Sequence, residues 1–504
     1  MATQRAGYLT HDGFVVPVAI LKDVFRGQYS AFLKKLTVTH YPKMGPPISA
    51  RMYKQVVRAE TPCLYLPRTL INVLVGRNLL DTLHILFAPA RQINVQMTID
   101  LFDNQQIIID HLYKTIYTKE RILSGTATDI LNLRAGMGKT FVAAGLISTL
   151  KLRTLYIVPK RPLAVQTVKD LQNCFYSDTA EVNPVVGLYG NRRKKDPPID
   201  THDVTVIVIN SAMSRDTSFF SQYSLVVMDE VHMYCSTQRR EIFRKSSTHA
   251  MLGMSATTDD RSDGFDIIAH KELAFDGVTH AENIPDFTYE DIVFRGKVSV
   301  IHYNGPPAFT QSLSHPSTGK LFTPYMMEQF MSDPHRMKLA IMKLRELYDW
   351  RGDNGEKHYI YVFCETRKPL KLVYDELIKS FAEVDVPELA TGDDVGEFIG
   401  GIKDVEVSRL KSSARILLTT YGYSGTGVSI DKMTAIIFLT PRRAQMKQII
   451  PRILRRGGDL SVERQIVDII DNKTPLKYQY GDRANAYEFY QLEIEKTKIS
   501  YTDL

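Results

Sequence analysis

Lys139 stands in the string Ala135-Gly136-Met137-Gly138-Lys139-Thr140, between the apolar run Ile130-Leu131-Asn132-Leu133 and the apolar stretch Phe141-Val142-Ala143-Ala144-Gly145-Leu146-Ile147. Strand, glycine loop, lysine and helix start therefore follow one another in the order that a nucleotide phosphate requires. Gly136 and Gly138 let the backbone N–H groups around Met137 turn onto phosphate oxygens, and the helix N-terminus adds its positive dipole end. The Lys139 ammonium is placed for the β- and γ-phosphates, and the Thr140 hydroxyl for Mg²⁺. A strict phosphate-loop pattern would carry glycine at 133, where this chain has Leu133.

About 90 residues further on, the apolar run Ser224-Leu225-Val226-Val227-Met228 ends in Asp229-Glu230-Val231-His232. Two carboxylates at the carboxyl end of a strand are where an α/β nucleotide fold does its metal and water chemistry. Asp229 is expected to hold Mg²⁺ through its water shell, and Glu230 to orient or deprotonate the attacking water. Ser255-Ala256-Thr257 follows another apolar stretch and places small hydroxyls against that pair. Near the C-terminus, Arg452 and Arg455 fall in Gln448-Ile449-Ile450-Pro451-Arg452-Ile453-Leu454-Arg455-Arg456. Three residues apart, they share one face of a helix and can supply cationic charge to a transferring phosphoryl group. An exposed basic helix face is the alternative.

These residues need a sheet to hold them. Apolar runs at 155–158, 204–209 and 225–228 alternate with helical stretches, which predicts a parallel sheet wrapped by helices. A second alternating region begins at 359–363 and includes 416–418 and 435–439. Residues 326–350 read as helical, and the polar stretch from about 258 to 325 as the connection between the two. The first hundred residues alternate short strand-like runs, such as 14–20, with Gly and Pro breaks, and read as a small α+β unit.

Length and composition agree, since 504 residues are too many for one core, and 44% hydrophobic with 24% charged residues describes a globular chain. No run of about 18 apolar residues occurs and the N-terminus lacks a signal-peptide pattern, which predicts neither export nor membrane insertion. Four cysteines without a CxxC pair argue against a zinc site or a disulfide framework. The charge is unevenly spread. The first 100 residues hold 12 basic and 5 acidic side chains, so the whole net charge of +7 resides there and the rest of the chain balances. Lys34, Lys35, Lys43, Arg51, Lys54 and Arg58 are interleaved with Tyr29, Phe32, Tyr41 and Tyr53, a composition suited to phosphates and stacked bases.

Together the motifs resemble those of superfamily 2 helicases of the DExH type. AGMGKT is similar to motif I, DEVH to motif II, SAT to motif III and QIIPRILRR to motif VI. Gln105 resembles the upstream glutamine that reads adenine, Val158-Pro159-Lys160 motif Ia, Val362 to Arg367 motif IV, and Thr419-Thr420 with Gly425 to Ser429 motif V. Over nearly the whole chain the resemblance is to helicases of large cytoplasmic DNA viruses, the poxvirus transcript-release and asfarvirus type. Pro451, in place of the usual motif VI glycine, and Leu133 depart from the pattern; proline tolerates the first turn of a helix, so altered local geometry is expected there.

The resemblance implies an α/β fold of two RecA-like parallel-sheet lobes with a small N-terminal α+β accessory domain: residues 1–95 basic and DNA-binding, 96–285 the ATP-binding lobe, and 286–504 the connection and second lobe. It implies ATP and Mg²⁺ as cofactors, with ATP bound between the lobes and Gly427 among its contacts. His232, Ser255, Thr257 and Gln448 would couple hydrolysis to movement. Pro159, Lys160, Asn210, Gly392, Thr419 and Thr420 would contact nucleic acid, mainly its backbone. The implied activity is an ATP-dependent 3′-to-5′ DNA helicase or translocase in viral transcription, including transcript release, or in replication and repair. It would be a monomer in the host cytoplasm and virion. Its partners would be single-stranded or duplex DNA, with RNA, RNA–DNA hybrid and a viral RNA polymerase beside them, and no membrane. An RNA helicase and a nucleotide-gated clamp without unwinding remain as alternatives.

Overall fold

The structure is a computed structural model that describes residues 5–42, 45–190, 198–258, 261, 263–289, 295–315, 319, 321–382, 394–424, 430–442, 446–455 and 458–504. The chain divides into two compact units, 1–290 and 291–504.

The first unit begins with strands β1 (Ala6–Thr10) and β2 (Gly13–Pro17), a pair β3 (Thr37–His40) and β4 (Ile48–Arg51), then β5 (Lys54–Arg58), β6 (Thr61–Leu66) and β7 (Thr82–Ile85). Five of them form a sheet in the order β5-β6-β2-β1-β7, while β3 and β4 pair separately. The strand-like run at 14–20 is shorter than the sequence suggests. Strand β2 stops at Pro17, whose missing N–H ends the ladder, and a helix Val18–Phe25 follows.

Next come β8 (Ala127–Asn132), β9 (Thr154–Val158), β10 (Val186–Leu188), β11 (Val204–Val208), β12 (Leu225–Asp229), β13 (Ala250–Ser255) and β14 (Thr279–His280). They form a parallel sheet in the order β10-β11-β9-β12-β13-β8-β14. Alternation of side chains puts Leu155 and Ile157 in the core on one face and Tyr156 and Val158 in the core on the other. Burial on both faces explains why these strands read as continuous apolar runs.

On the first of those faces the N-terminal sheet shares the core. Leu9, Phe14, Val16 and Leu64 belong to one cluster with Phe220, Tyr223, Ile242 and Phe243. Arg68, 4% exposed, crosses the junction and donates to the carbonyls of Thr248 and Gly125 at 2.9 and 3.2 Å. Tyr65 donates to Glu272 Oε1 at 2.5 Å. The basic N-terminal segment is thus built onto the first parallel sheet rather than tethered to it.

The second unit contains β15 (Gly296–Asn304), β16 (Ile360–Cys364), β17 (Val395–Phe398), β18 (Ile416–Thr420), β19 (Ala435–Phe438), β20 (Arg464–Asp471) and β21 (Glu493–Ser500), parallel in the order β17-β18-β16-β19-β20-β15-β21. Strand β15 lies inside the stretch read from sequence as a connection, which is a correction. Val298 and Val300 join the core on one face of its sheet, and Ile301 and Tyr303 the core on the other. The expected helix at 326–350 is two helices, Thr323–Met331 and Pro334–Asp349. Pro334 starts the second, and Asp333 Oδ1 caps it by accepting from His335 N at 3.0 Å. Two buried ion pairs stitch this unit: Arg336 to Asp471 at 2.7 Å and Arg483 to Asp468 at 2.8 Å.

Candidate nucleotide-hydrolysis site

In the first unit the chemistry-bearing residues gather at the carboxyl ends of adjacent parallel strands. Asn132 of β8 is in register with Ser255 of β13, and Met254 of β13 with Asp229 of β12. This is where parallel α/β sheets bind ligands. After β8 the chain turns through Gly136 (φ +86°) and Gly138 (φ +79°), both left-handed, and Gly138 caps the helix Lys139–Leu150. Strand, glycine turn and helix N-terminus thus follow one another in the order predicted from the spacing.

Gln105 lies against that loop. In the helix Asp103–Thr115, its Oε1 accepts from Phe102 N at 3.2 Å, and its Nε2 donates to the Met137 carbonyl at 3.2 Å. A Cβ at Gly138 would fall 2.4 Å from Gln105 Nε2, the end of a side chain that can swing aside, so the left-handed φ is what favours glycine there. Leu133 is 1% exposed and packs in the core, with its N–H donated to the Ser255 carbonyl at 3.0 Å. The unusual residue at the start of the motif therefore ties the loop to β13.

Lys139 Nζ lies 3.5 Å from Glu230 Oε1, and both side chains are largely buried. Asp229 is 5% exposed. Burial, reinforced by the like charge of Glu230 and opposed by the Lys139 ammonium, pushes the Asp229 carboxyl above its usual range. Glu230 sits at φ +51°, a left-handed conformation that costs a non-glycine residue about 1–3 kcal/mol. Surrounding bonds hold it there: Glu230 N donates to Asp229 Oδ1 at 3.0 Å, and Tyr234 Oη donates to the carbonyls of Asp229 and Ile157 at 2.7 and 3.1 Å.

His232 Nδ1 is 2.8 Å from Ser255 Oγ and 3.5 Å from Glu230 Oε2. Ser255 Oγ donates to the Thr257 carbonyl at 2.9 Å and accepts from Thr257 N at 3.0 Å. His232 is thus hydrogen-bonded to the SAT segment and lies within ion-pair distance of Glu230. Among the described residues no group of three His, Cys, Asp or Glu side chains converges on a metal. The Thr140 hydroxyl and Asp229 carboxylate are hard oxygen atoms of the kind that would hold Mg²⁺.

Of the residues expected to meet nucleic acid in this unit, Lys160 and Asn210 follow β9 and β11, whose last residues Val158 and Val208 are in register. Asn210 is exposed, Lys160 half-buried and Pro159 buried. In the second unit Thr419 requires a correction. It is fully buried, and its hydroxyl donates to the Phe398 carbonyl at 2.6 Å, so only Thr420 of the pair presents a side chain. Gly392 and Gly427 lie outside the described residues.

The arginine segment also differs from the continuous helix read from sequence. A helix Met446–Ile449 passes into a 3₁₀ turn Ile450–Arg452, with Arg455 beyond it. Pro451 has no N–H for the Lys447 carbonyl. That carbonyl accepts from Tyr490 Oη at 3.0 Å instead, and the next bonds run from Ile453 N to Ile450 O and from Leu454 N to Pro451 O. Gln448 and Arg452 are 9% and 5% exposed, and Arg455 Nη1 is 3.7 Å from Asp431 Oδ1.

Comparison with known proteins accords with this geometry. Residues 98–260 match the family described as "Type III restriction enzyme, res subunit". The chain is 30% identical to "Putative ATP-dependent RNA helicase QP509L" of African swine fever virus (isolate Tick/Malawi/Lil 20-1/1983), over 98% of this chain and 93% of that one. It belongs to the ATP-dependent helicase family of large DNA viruses. A relative of Acanthamoeba polyphaga mimivirus, "Putative ATP-dependent RNA helicase L396", is 26% identical over 74% of this helicase and 66% of its own length. Among solved structures, the ATP-dependent Type ISP restriction-modification enzyme LlaBIII bound to DNA shares the fold, with a TM-score of 0.51, 14% identity and coverage of 79% of this chain and 31% of that one. The activity of the family is ATP-driven, and two RecA-like lobes are its fold.

Two contacts of the helicase were not legible in its sequence. Arg261 Nη1 donates to the His232 carbonyl at 3.0 Å while its Nε and Nη2 grip Asp263 at 2.8 and 2.5 Å, clamping the turn after the acidic pair. Arg442 grips both oxygens of Glu365 at 2.7 and 2.9 Å, joining the ends of β16 and β19. Arginine and carboxylate stand 77 residues apart in the second case, so only the sheet order brings them together. Among the described residues no helix is long and apolar enough to cross a membrane.

Proposed function

We propose that the chain is a DNA helicase or translocase that moves 3′ to 5′ and acts in viral transcription, including transcript release, or in replication and repair. The observation that carries the motor part of this reading is the continuous link from Lys139 through Glu230 and His232 to Ser255, which ties a phosphate loop to the segment after β13. The preference for DNA rests on the resemblance to DNA helicases of large cytoplasmic DNA viruses; the basic first hundred residues, built into the first unit, suit nucleic-acid phosphates of either kind.

In this reading the Gly136–Thr140 loop holds the triphosphate and Gln105 faces its adenine end. Lys139 is assigned the β/γ-phosphates, and Thr140 with Asp229 the Mg²⁺, which when bound neutralises phosphate charge. Glu230 accepts the proton of the attacking water. Arg452 and Arg455 supply charge to the transferring phosphoryl group, with Gly427 as a further nucleotide contact and Gln448 as a coupling residue. His232, Ser255 and Thr257 relay the change at Glu230 to Lys160, Asn210 and Thr420, with Pro159 and Gly392 beside them, on the backbone of the strand. The protein works as a monomer in the host cytoplasm, with a viral RNA polymerase as partner.

A second reading, an RNA helicase, is favoured by the names of the African swine fever virus and mimivirus relatives. ATPase measurements with single-stranded DNA, duplex DNA and RNA separate the two. Stronger stimulation by DNA supports the first, and stimulation by RNA alone replaces it with the second.

A further inference from the structure

A groove opens where the N-terminal strands meet the first parallel-sheet core. Arg51, Tyr53 and Lys54 line one side, Arg240, Glu241 and Arg244 the other, and the buried Tyr65–Glu272 pair lies at its base. Glu241 is already shared, 2.9 Å from Lys54 Nζ and 3.4 Å from Arg244 Nε. The Glu272 carboxyl, shut away from water, is pushed up to about 8, so Glu241 is the one ionised acid among these lining residues at neutral pH. Four cations against one carboxylate leave a surplus of positive charge. Among the described residues neither Arg51 nor Arg240 joins an ion pair, and Arg240 Nη1 is buried with no hydrogen-bond partner. A buried guanidinium N–H without an acceptor is costly, and an anion drawn into the groove would satisfy it once the side chains that shut Nη1 off from solvent moved aside.

We propose that this groove is a second nucleic-acid contact, a subsite for a backbone phosphate in which Arg240 is the principal donor and Arg51 and Lys54 complete the field. The proposal rests on the motor reading above and adds to it a contact made jointly by the N-terminal segment and the helix Glu241–Lys245 region of the first core. A phosphodiester fits better than a peptide carboxylate for two reasons. The charge excess of the whole chain is concentrated in the segment that forms one wall, and Tyr53 stands beside the cations where a base can stack. Arginine's planar fork suits a tetrahedral phosphate, and no base edge need be read.

The test uses the full chain, a labelled single-stranded DNA and its RNA counterpart, and fluorescence anisotropy over a series of salt concentrations. Arg240→Gln is expected to weaken binding about fivefold and to reduce the slope of log affinity against log salt by about 1, with Arg240→Lys keeping most of the slope. ATP hydrolysis without nucleic acid stays at the wild-type rate in both variants. Unchanged affinity and slope in Arg240→Gln, while wild-type hydrolysis still responds to the oligonucleotide, overturns the groove and leaves the motor reading standing. Wild-type hydrolysis that no oligonucleotide stimulates overturns the motor reading instead. If Arg240→Gln loses only inorganic phosphate or a polyglutamate peptide and binds oligonucleotide normally, the groove serves another anion and the proposal fails.

Discussion

His232 Nδ1 stands 2.8 Å from Ser255 Oγ, and because that hydroxyl donates to the Thr257 carbonyl, the imidazole is the donor and carries its proton on Nδ1. The acidic motif is thereby connected to the exit of β13 by a bond that requires a proton on Nδ1. Ser255→Ala and His232→Ala are each expected to leave nucleic-acid-stimulated ATP turnover within about tenfold of wild type while strand unwinding is lost, since the bond couples rather than catalyses. The double variant should be no worse than either single one. Additive losses in a strand-displacement assay would show that the two residues act separately.

Removing one partner of a fully buried ion pair strands the other. Arg483 and Asp468 are each 1% exposed, and Tyr487 also donates to Asp468 at 2.8 Å. Asp468→Ala is expected to destabilise the second unit by about 3–5 kcal/mol, measured by denaturant unfolding of the full chain. A loss under about 1 kcal/mol would mean that water reaches the guanidinium.

Glu272 gives the junction of the N-terminal sheet a pH dependence. Its carboxyl is raised from 4.5 to about 8 by burial, so the folded state holds a proton that the unfolded state has released. Its contribution to stability is full below pH 4.5 and is lost as pH rises through about 8. Glu272→Gln, which can still accept from Tyr65, should flatten the fall in melting temperature across that window. An unaltered profile would place the titration elsewhere.

Much of this was legible before the coordinates. Asp229, Glu230 and the SAT residues announce themselves because they sit where an apolar strand stops, Lys139 because it follows a glycine turn into a helix, and the strand runs are buried on both faces. What escaped was held in tertiary pairing. Strand β15 hides in a polar stretch because Lys297, Ser299 and His302 interrupt its buried residues, and Arg261 and Arg442 acquire roles through carbonyls and carboxylates that sequence spacing does not connect. Thr419 reads as a surface contact by motif, yet the strand's alternation turns its side chain inward. Pro451 was expected to alter local geometry. The structure shows how, through a 3₁₀ turn and a tyrosine that takes up the vacated carbonyl.

The proposed assignment of the site stands on Lys139 and Glu230, 3.5 Å apart at the head of the parallel sheet. Steady-state ATP hydrolysis by the full chain, with and without single-stranded DNA, tests it most directly in Lys139→Ala and Glu230→Gln. Both should lose stimulated turnover by at least about 100-fold, with Glu230→Gln still binding nucleotide. Turnover at the wild-type rate in either variant would contradict the assignment.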